Sequence, residues 1–215
     1  MRLLVLGGTV FLGRHLVEAA VARGHQVTLF NRGRSSPELF PDLERLVGDR
    51  DGGLRPLRGR RWDVAVDTSG FVPRVVRQSV ELLRPSVDLY VFISSGSVYP
   101  LDGLDHSEAG PVARLADTGD EDVTANYGGL KALCEEEVVR CFGETALNVR
   151  SGLIAGPHDP TGRFTYWPLR VARGGEVLGP GGPGRAVQFI DARDQADWIL
   201  DMAEAGCGGT FNVTG

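Results

Sequence analysis

The chain has 215 residues, 42% of them apolar, and a net charge of −5 from 28 acids against 23 lysines and arginines. That length fits one domain, or one domain with a small appendage, and the apolar fraction supports a core, which excludes a disordered chain. No basic stripe stands out, so no nucleic-acid partner is expected. In chain order, RLLVL (2–6) reads as a buried strand. Residues 11–23 carry Leu12, Leu16, Ala19, Ala20 and Ala22 at helical spacing, and Gly24 supplies the stop. Strands follow at 26–30 (QVTLF), 43–48 (LERLVG) and 63–68 (DVAVDT). Residues 73–84 predict a helix, with Pro73 near its start and Pro85 just past its end. A fifth strand is DLYVFIS (88–94), a polar loop fills 100–119, a helix spans 121–142, and ALNVR (146–150) is a sixth strand. Then LGPGGPG (178–184) marks a tight loop or hairpin, AVQFID (186–191) a strand, 192–205 an amphipathic helix and TFNVT (210–214) a last strand. The stop at Gly215, directly after a strand, suggests a fragment.

This alternation of buried strands and helices predicts an α/β fold, a doubly wound parallel sheet with helices on both faces, as a single domain over 1–215. Ligands of such sheets bind outside the carboxyl ends of the strands. The three cysteines, Cys134, Cys141 and Cys207, are odd in number and lack CxxC spacing. They argue against a disulfide framework or a metal site and for a reducing, cytoplasmic setting. The leading MRLLVLGG is too short for a signal sequence and no segment reaches the length of a membrane span, so no membrane partner is expected.

LGGTVFLGRH (6–15) follows the first strand, where a pyrophosphate docks on a helix start. Gly7 suits a tight turn, Gly8 a close backbone approach and Gly13 close helix packing. GTVFLGRH has P-loop glycine spacing, but Arg14-His15 replaces the Lys-Ser/Thr that would hold phosphate and Mg²⁺. Strict G-x-G-x-x-G fails at Thr9, and a ligand-free glycine turn remains open. Asn31 ends the second strand with Arg32 and Arg34 beside it. Guanidinium groups there suit a 2′-phosphate and favour NADP(H) over NAD(H), although two solvated arginines would read the same way. Asp49 is either an acceptor for an adenine amino group or a plain turn residue.

NYGGLK (126–131) sets Tyr127 and Lys131 four apart on one helix face. A tyrosine titrates near ~10, and a nearby ammonium favours the phenolate, so the pair suits acid/base work. ISSGSVY (93–99) ends the fifth strand at the ligand edge, where Ser94, Ser95 and Ser97 offer hydroxyls, as ordinary turns also do. His106 and His158 read as solvated loop residues, Glu135 to Glu137 as a wet helix face, and Asp191, Asp194 and Asp197 as helix-start acids. Tyr166 and Trp167 border either a substrate pocket or a packed core or interface.

GGTVFLG, ISSGSVY and Tyr127-x-x-x-Lys131, in this order, resemble the extended short-chain dehydrogenase/reductase family, often labelled NAD-dependent epimerase/dehydratase, and its GGTxFLG branch. VRSGLIAGPHDP (149–160) and VQFIDARDQADWI (187–199) resemble later family segments, so the likeness spans essentially the whole chain. It implies a Rossmann-type NAD(P) domain in which 151–215 supplies part of a substrate-side segment without the family's C-terminal elements. Gly7, Gly8 and Gly13, with Thr9, Phe11 and Leu12 between them, would line the pyrophosphate. Ser95 would polarise the substrate, Tyr127 move the proton, and Lys131 hold the nicotinamide ribose and tune Tyr127. The chain departs from the family at Val10 (a glycine), at Ser151 (a proline) and at DTSGF (67–71, an alanine-rich stretch).

The implied activity is hydride exchange between NADP(H) or NAD(H) and a carbonyl or alcohol carbon of a small molecule, as reduction or epimerisation. Dehydration is disfavoured, because Gly96-Ser97 offers no carboxylate beside the serine. The alternative is a non-catalytic NADP-sensing or RNA-associated protein of the same fold. A homodimer is compatible with either reading.

Overall fold

β1 (Arg2–Leu6) turns Leu3 and Val5 to one face and Leu4 and Leu6 to the other, and all four are fully buried. That double burial is what a continuous apolar run produces in a parallel sheet covered on both sides. Each such leucine contributes about 2 kcal/mol. The computed structural model describes residues 1–100, 105–179, 181–182 and 184–215. After β1 come α1 (Phe11–Ala22), β2 (Gln26–Asn31), β3 (Glu44–Val47), β4 (Trp62–Asp67), α2 (Pro73–Leu83) and β5 (Val87–Ser95). α3 (Val123–Phe142), β6 (Ala146–Ser151), β7 (Ile154–Ala155), α4 (Tyr166–Ala172), β8 (Ile190–Asp191), α5 (Ala192–Glu204) and β9 (Gly209–Val213) complete the described elements.

Seven strands form one sheet in the order β3-β2-β1-β4-β5-β6-β9, with every pairing parallel. α1 and α5 pack together over Leu3, Val5 and Val149, while α2 and α3 cover Leu4, Leu6, Tyr90 and Phe92 on the other face. This is the doubly wound α/β fold that the alternation predicts. The strand order reverses between β1 and β4, which opens a crevice at their carboxyl ends.

The strand predicted over 186–191 shrinks to Ile190–Asp191, which pairs only with Ile154–Ala155 in a separate two-stranded sheet. Val187 and Phe189 are exposed, and among the described residues 186–189 has no neighbouring strand to complete a ladder. The turn predicted over 178–184 falls partly on Pro180 and Pro183, and the loop predicted over 100–119 partly on 101–104, all outside the described residues. No helix among the described residues is long and apolar enough to cross a membrane.

Candidate active site

The loop between β1 and α1 is shaped by its glycines. Gly7 (φ +110) and Gly8 (φ +85) hold left-handed backbone, and a Cβ on Gly7 would overlap the Thr68 hydroxyl. A Cβ on Gly13 would lie 2.9 Å from Gly8 Cα, so its absence lets α1 press against the loop. Val10 sits at the N-cap with extended backbone (φ −130, ψ 137) and a half-exposed side chain, so nothing in this loop demands a glycine there. The first turn of α1 has no capping side chain and no acid, which leaves its N–H groups for an anion. Phe11, the first helical residue, has a positive φ of 35, the kind of strain found at binding loops. The P-loop reading fails in structure as well. Arg14 pairs with Glu18 at 2.8 Å, and His15 is buried with its Nε2 2.9 Å from the Pro157 carbonyl.

Asn31 clamps this loop to the end of β2. Its Nδ2 donates to Gly7 O (3.0 Å) and its Oδ1 accepts from Gly33 N (2.9 Å). Arg32 and Arg34 are exposed and form no ion pair among the described residues. Asp49 accepts from Asp51 N at 3.0 Å, a turn contact. All of these residues line one cleft of about 1340 Å³ at the carboxyl edge of the sheet.

The other end of that cleft is built by α3. Asp122 caps the helix by accepting from Thr124 N (2.8 Å) and Ala125 N (3.2 Å), and the backbone kinks at Asn126 just before Tyr127. A Cβ on Gly128 would overlap the Ser97 carbonyl, and one on Gly129 would overlap Leu115. The two glycines after Tyr127 therefore let α3 lie directly on the turn that follows β5, which carries Ser95. Ser95 Oγ accepts from Ser97 N at 3.1 Å, so its own O–H is left to donate. Tyr127 packs 6.5 Å from the Phe71 ring. Lys131 is buried, and its Nζ donates to Gly70 O (2.8 Å) and Ile93 O (2.5 Å), 4.2 Å from the Phe92 ring centre. Burial lowers its pKa to about 8, with Asp67 opposing the drop. Among the described residues no hydrogen bond joins Ser95, Tyr127 and Lys131 to one another. All three line the cleft, together with the glycine loop.

Two polar networks here escape the sequence reading. Glu135, expected on a wet face, is buried. It binds Arg150 through Oε2 (2.8 Å) and accepts from the Ser94 hydroxyl at 2.5 Å. Arg150 continues to the Tyr99 hydroxyl (2.8 Å), which donates to Asn212 Oδ1 (2.7 Å). The error has a helical cause: Glu135 is four residues after Lys131 and shares its inward face, whereas Glu136 points out. Glu137 is partly buried and paired with Arg77 and Arg140, and only Glu136 matches the expected exposure. The second network, Arg50 with Asp67, links two segments that are distant in sequence. One overlooked signal was plain in the composition. Lys131 is the only lysine in the chain, against 22 arginines.

Tyr166 and Trp167 are exposed on α4 and line neither the cleft nor the core. His106 lines the cleft, stacked 5.2 Å from Tyr99, while His158 lies 5.9 Å from His15. No group of three or more His, Cys, Asp or Glu side chains among the described residues could hold a metal.

The fold and the cleft define a Rossmann-type α/β domain, and similar solved structures have the same architecture. A UDP-galactose 4-epimerase superposes with a TM-score of 0.73 at 23% identity, covering 100% of this chain and 77% of that one. A UDP-glucuronic acid 4-epimerase from Bacillus cereus in complex with NAD gives 0.76 at 18% identity, covering 100% and 78%. In sequence, the chloroplast stem-loop binding protein of 41 kDa b of Arabidopsis thaliana is 28% identical over 235 residues, covering 100% of this chain and 58% of that protein. A UDP-glucose 4-epimerase of Neisseria meningitidis serogroup B is 28% identical over 165 residues, covering 62% of this chain and 46% of its own. The chain thus spans about half the length of these relatives. No family model matches it.

Proposed function

We propose that the chain is a nicotinamide-dinucleotide-dependent enzyme of the oxidoreductase and epimerase kind, with residues 1–215 acting as one dinucleotide-binding unit. One observation carries the reading: a bare glycine loop before an uncapped helix start shares a cleft with Ser95, Tyr127 and Lys131. The residues fit such a cofactor, since Gly7, Gly8 and Gly13 lack the Cβ atoms that would close the loop. Gly7 to Gly13 would take the pyrophosphate on backbone N–H groups, and Asp49 the adenine edge. Arg32 and Arg34 suit a 2′-phosphate, so NADP(H) is the tighter ligand and NAD(H) the weaker. When bound, the nicotinamide supplies a hydride donor or acceptor.

Tyr127 gives or takes the proton at the substrate oxygen, and the Ser95 hydroxyl donates to the same oxygen. The Lys131 ammonium has three N–H groups, two of them engaged by Gly70 O and Ile93 O, and the third serves a ribose hydroxyl. The substrate is a small molecule with a carbonyl or secondary hydroxyl. The neighbours named as 4-epimerases of nucleotide sugars make that class the first to test, with epimerisation or simple reduction as the outcome.

Fluorescence titration with NADPH and NADH tests the reading. Binding retained in Tyr127→Phe, with turnover lost, supports it; binding of neither dinucleotide overturns it. Tighter NADH would remove the role given to Arg32 and Arg34. A second reading, a stem-loop binding protein, is raised by the name of the relative aligned over the whole chain. It predicts that a labelled RNA stem-loop binds with a steep salt dependence, which the net charge of −5 opposes.

A further inference from the structure

A buried ion pair lies against the cleft, with Arg50 on its wall. Asp67 ends β4 and is fully buried, and Arg50 follows β3 with its side chain 11% exposed. The guanidinium grips the carboxylate with both terminal nitrogens, Nη1 to Oδ1 at 2.5 Å and Nη2 to Oδ2 at 2.7 Å. Tyr90 OH (2.9 Å) and Ser69 N (3.0 Å) also donate to the carboxylate, and Arg50 donates in turn to Ser79 Oγ at 3.1 Å. Replacing a buried pair by packed apolar residues is often neutral or stabilising, so stability alone does not explain this one.

What the pair touches does explain it. Three of the four residues that follow Asp67 bear on the cleft. Thr68 donates to Leu6 O (2.9 Å) and fills the space that keeps Gly7 bare. Gly70 O receives Lys131 Nζ, and a Cβ on Gly70 would lie 3.0 Å from Asp67 Oδ2. Phe71 packs on Tyr127 and lies 5.4 Å from Lys131 Nζ. On the arginine side, Asp49 and Asp51 flank Arg50 and line the cleft with it.

We propose that the Arg50–Asp67 pair is a positioning element, fixing the 68–71 loop on which Lys131, Tyr127 and the glycine loop all rest and setting the electric field at Lys131. The proposal rests on the reading of the cleft as a dinucleotide-dependent active site. The charged and titratable groups acting on Lys131 are Asp67 from β4, Arg50 from the loop after β3, and Cys134 and Glu135 from α3, with Tyr90 of β5 bonded to Asp67 and Tyr127 one turn away on α3. Asp67 supports the protonated ammonium and Arg50 opposes it, so the two charges pull in opposite directions.

A single lysine makes the test direct. Full chain labelled with ¹³C,¹⁵N-lysine gives one side-chain signal, and its titration midpoint is read by NMR with no activity required. In Asp67→Asn the midpoint falls by about one pH unit, and in Arg50→Met it rises. Both variants also bind NADPH and NADH at least tenfold more weakly. Opposite shifts show that both charges act on Lys131, the loss of dinucleotide affinity shows that the pair positions the cleft, and unchanged midpoints in folded variants overturn the proposal. Should either single variant fail to fold, the charge-free Arg50→Met/Asp67→Leu replacement decides. Weakened dinucleotide binding by that folded double variant supports the proposal, and wild-type affinity overturns it. If the wild type binds neither dinucleotide, the proposed function fails while the lysine titration still reports on the pair.

Discussion

Raising the pH should stabilise the fold through Lys131, and the size of the effect follows from its burial. Desolvation brings its pKa from the ordinary 10.5 down to about 8. Between those values the unfolded chain binds a proton that the folded chain has released, so stability rises with pH across that window and the penalty is fully present below it. At about 1.4 kcal/mol per pH unit the whole effect is about 3 kcal/mol, of which roughly 2.5 kcal/mol is recovered between pH 7 and pH 10. Two other buried groups work against it. Burial pushes the Cys134 thiol up to about 12 and the Tyr90 phenol well above its usual value. Both hold protons more tightly when folded, so stability is lost as pH rises past 9.0 for the thiol and past 10.0 for the phenol. Comparison with Lys131→Met cancels these shared contributions. Urea unfolding, followed by tryptophan fluorescence from buried Trp62, should show wild type gaining about 2.5 kcal/mol on Lys131→Met from pH 7 to pH 10. A difference that stays constant over that range would refute the idea that this ammonium is held in a desolvated site.

Glu135→Ala removes one partner of a buried ion pair and should cost about 3–5 kcal/mol, read from the urea midpoint, because Arg150 is left uncompensated. Gly7→Ala places a Cβ against Thr68 and forces a side chain into φ +110. It should cost about 1–3 kcal/mol and weaken dinucleotide binding in the fluorescence titration. Arg32→Ala with Arg34→Ala should weaken NADPH at least tenfold and leave NADH unchanged. Equal loss for both would assign the two arginines to a contact other than the 2′-phosphate.

The fold was legible wherever the apolar pattern was strong. Strands buried on both faces, such as 2–6, admit few alternatives, and a parallel sheet follows from the helices between them. The sequence pattern over Tyr166–Ala172 predicts no helix, and Pro168 breaks a helix only beyond its first turn. It occupies the first turn, where its missing N–H removes no helical bond. The strand predicted over 186–191 forms only at Ile190–Asp191, because β propensity cannot report whether a partner strand exists. At the site, glycine spacing and the four-residue Tyr–Lys interval are local signals, and every residue they picked out lines the same cleft. Arg50 and Asp67 gave no such signal. β3 and β4 are not neighbours in the sheet, and only the three-dimensional fold brings a guanidinium from the loop after β3 over the carboxylate that ends β4.

The single lysine sharpens the argument about chemistry. Every other basic side chain in the sequence, the histidines aside, is an arginine. At 131 the cation is enclosed by two carbonyl oxygens and the Phe92 and Phe71 rings, a space for a compact ammonium with three donors. A guanidinium brings five donors and a planar fork, and it does not release its proton in a protein. Lys131→Arg therefore keeps the charge while changing shape, donor count and titration. If position 131 needed only a positive charge, the variant would bind dinucleotide and turn over like wild type. If the site needs a compact, titratable ammonium held on Gly70 O and Ile93 O, the variant loses turnover by at least tenfold, and the arginine displaces the Phe71–Tyr127 contact. Turnover and dinucleotide affinity measured side by side separate the two, and wild-type values for both would refute the role given to the ammonium.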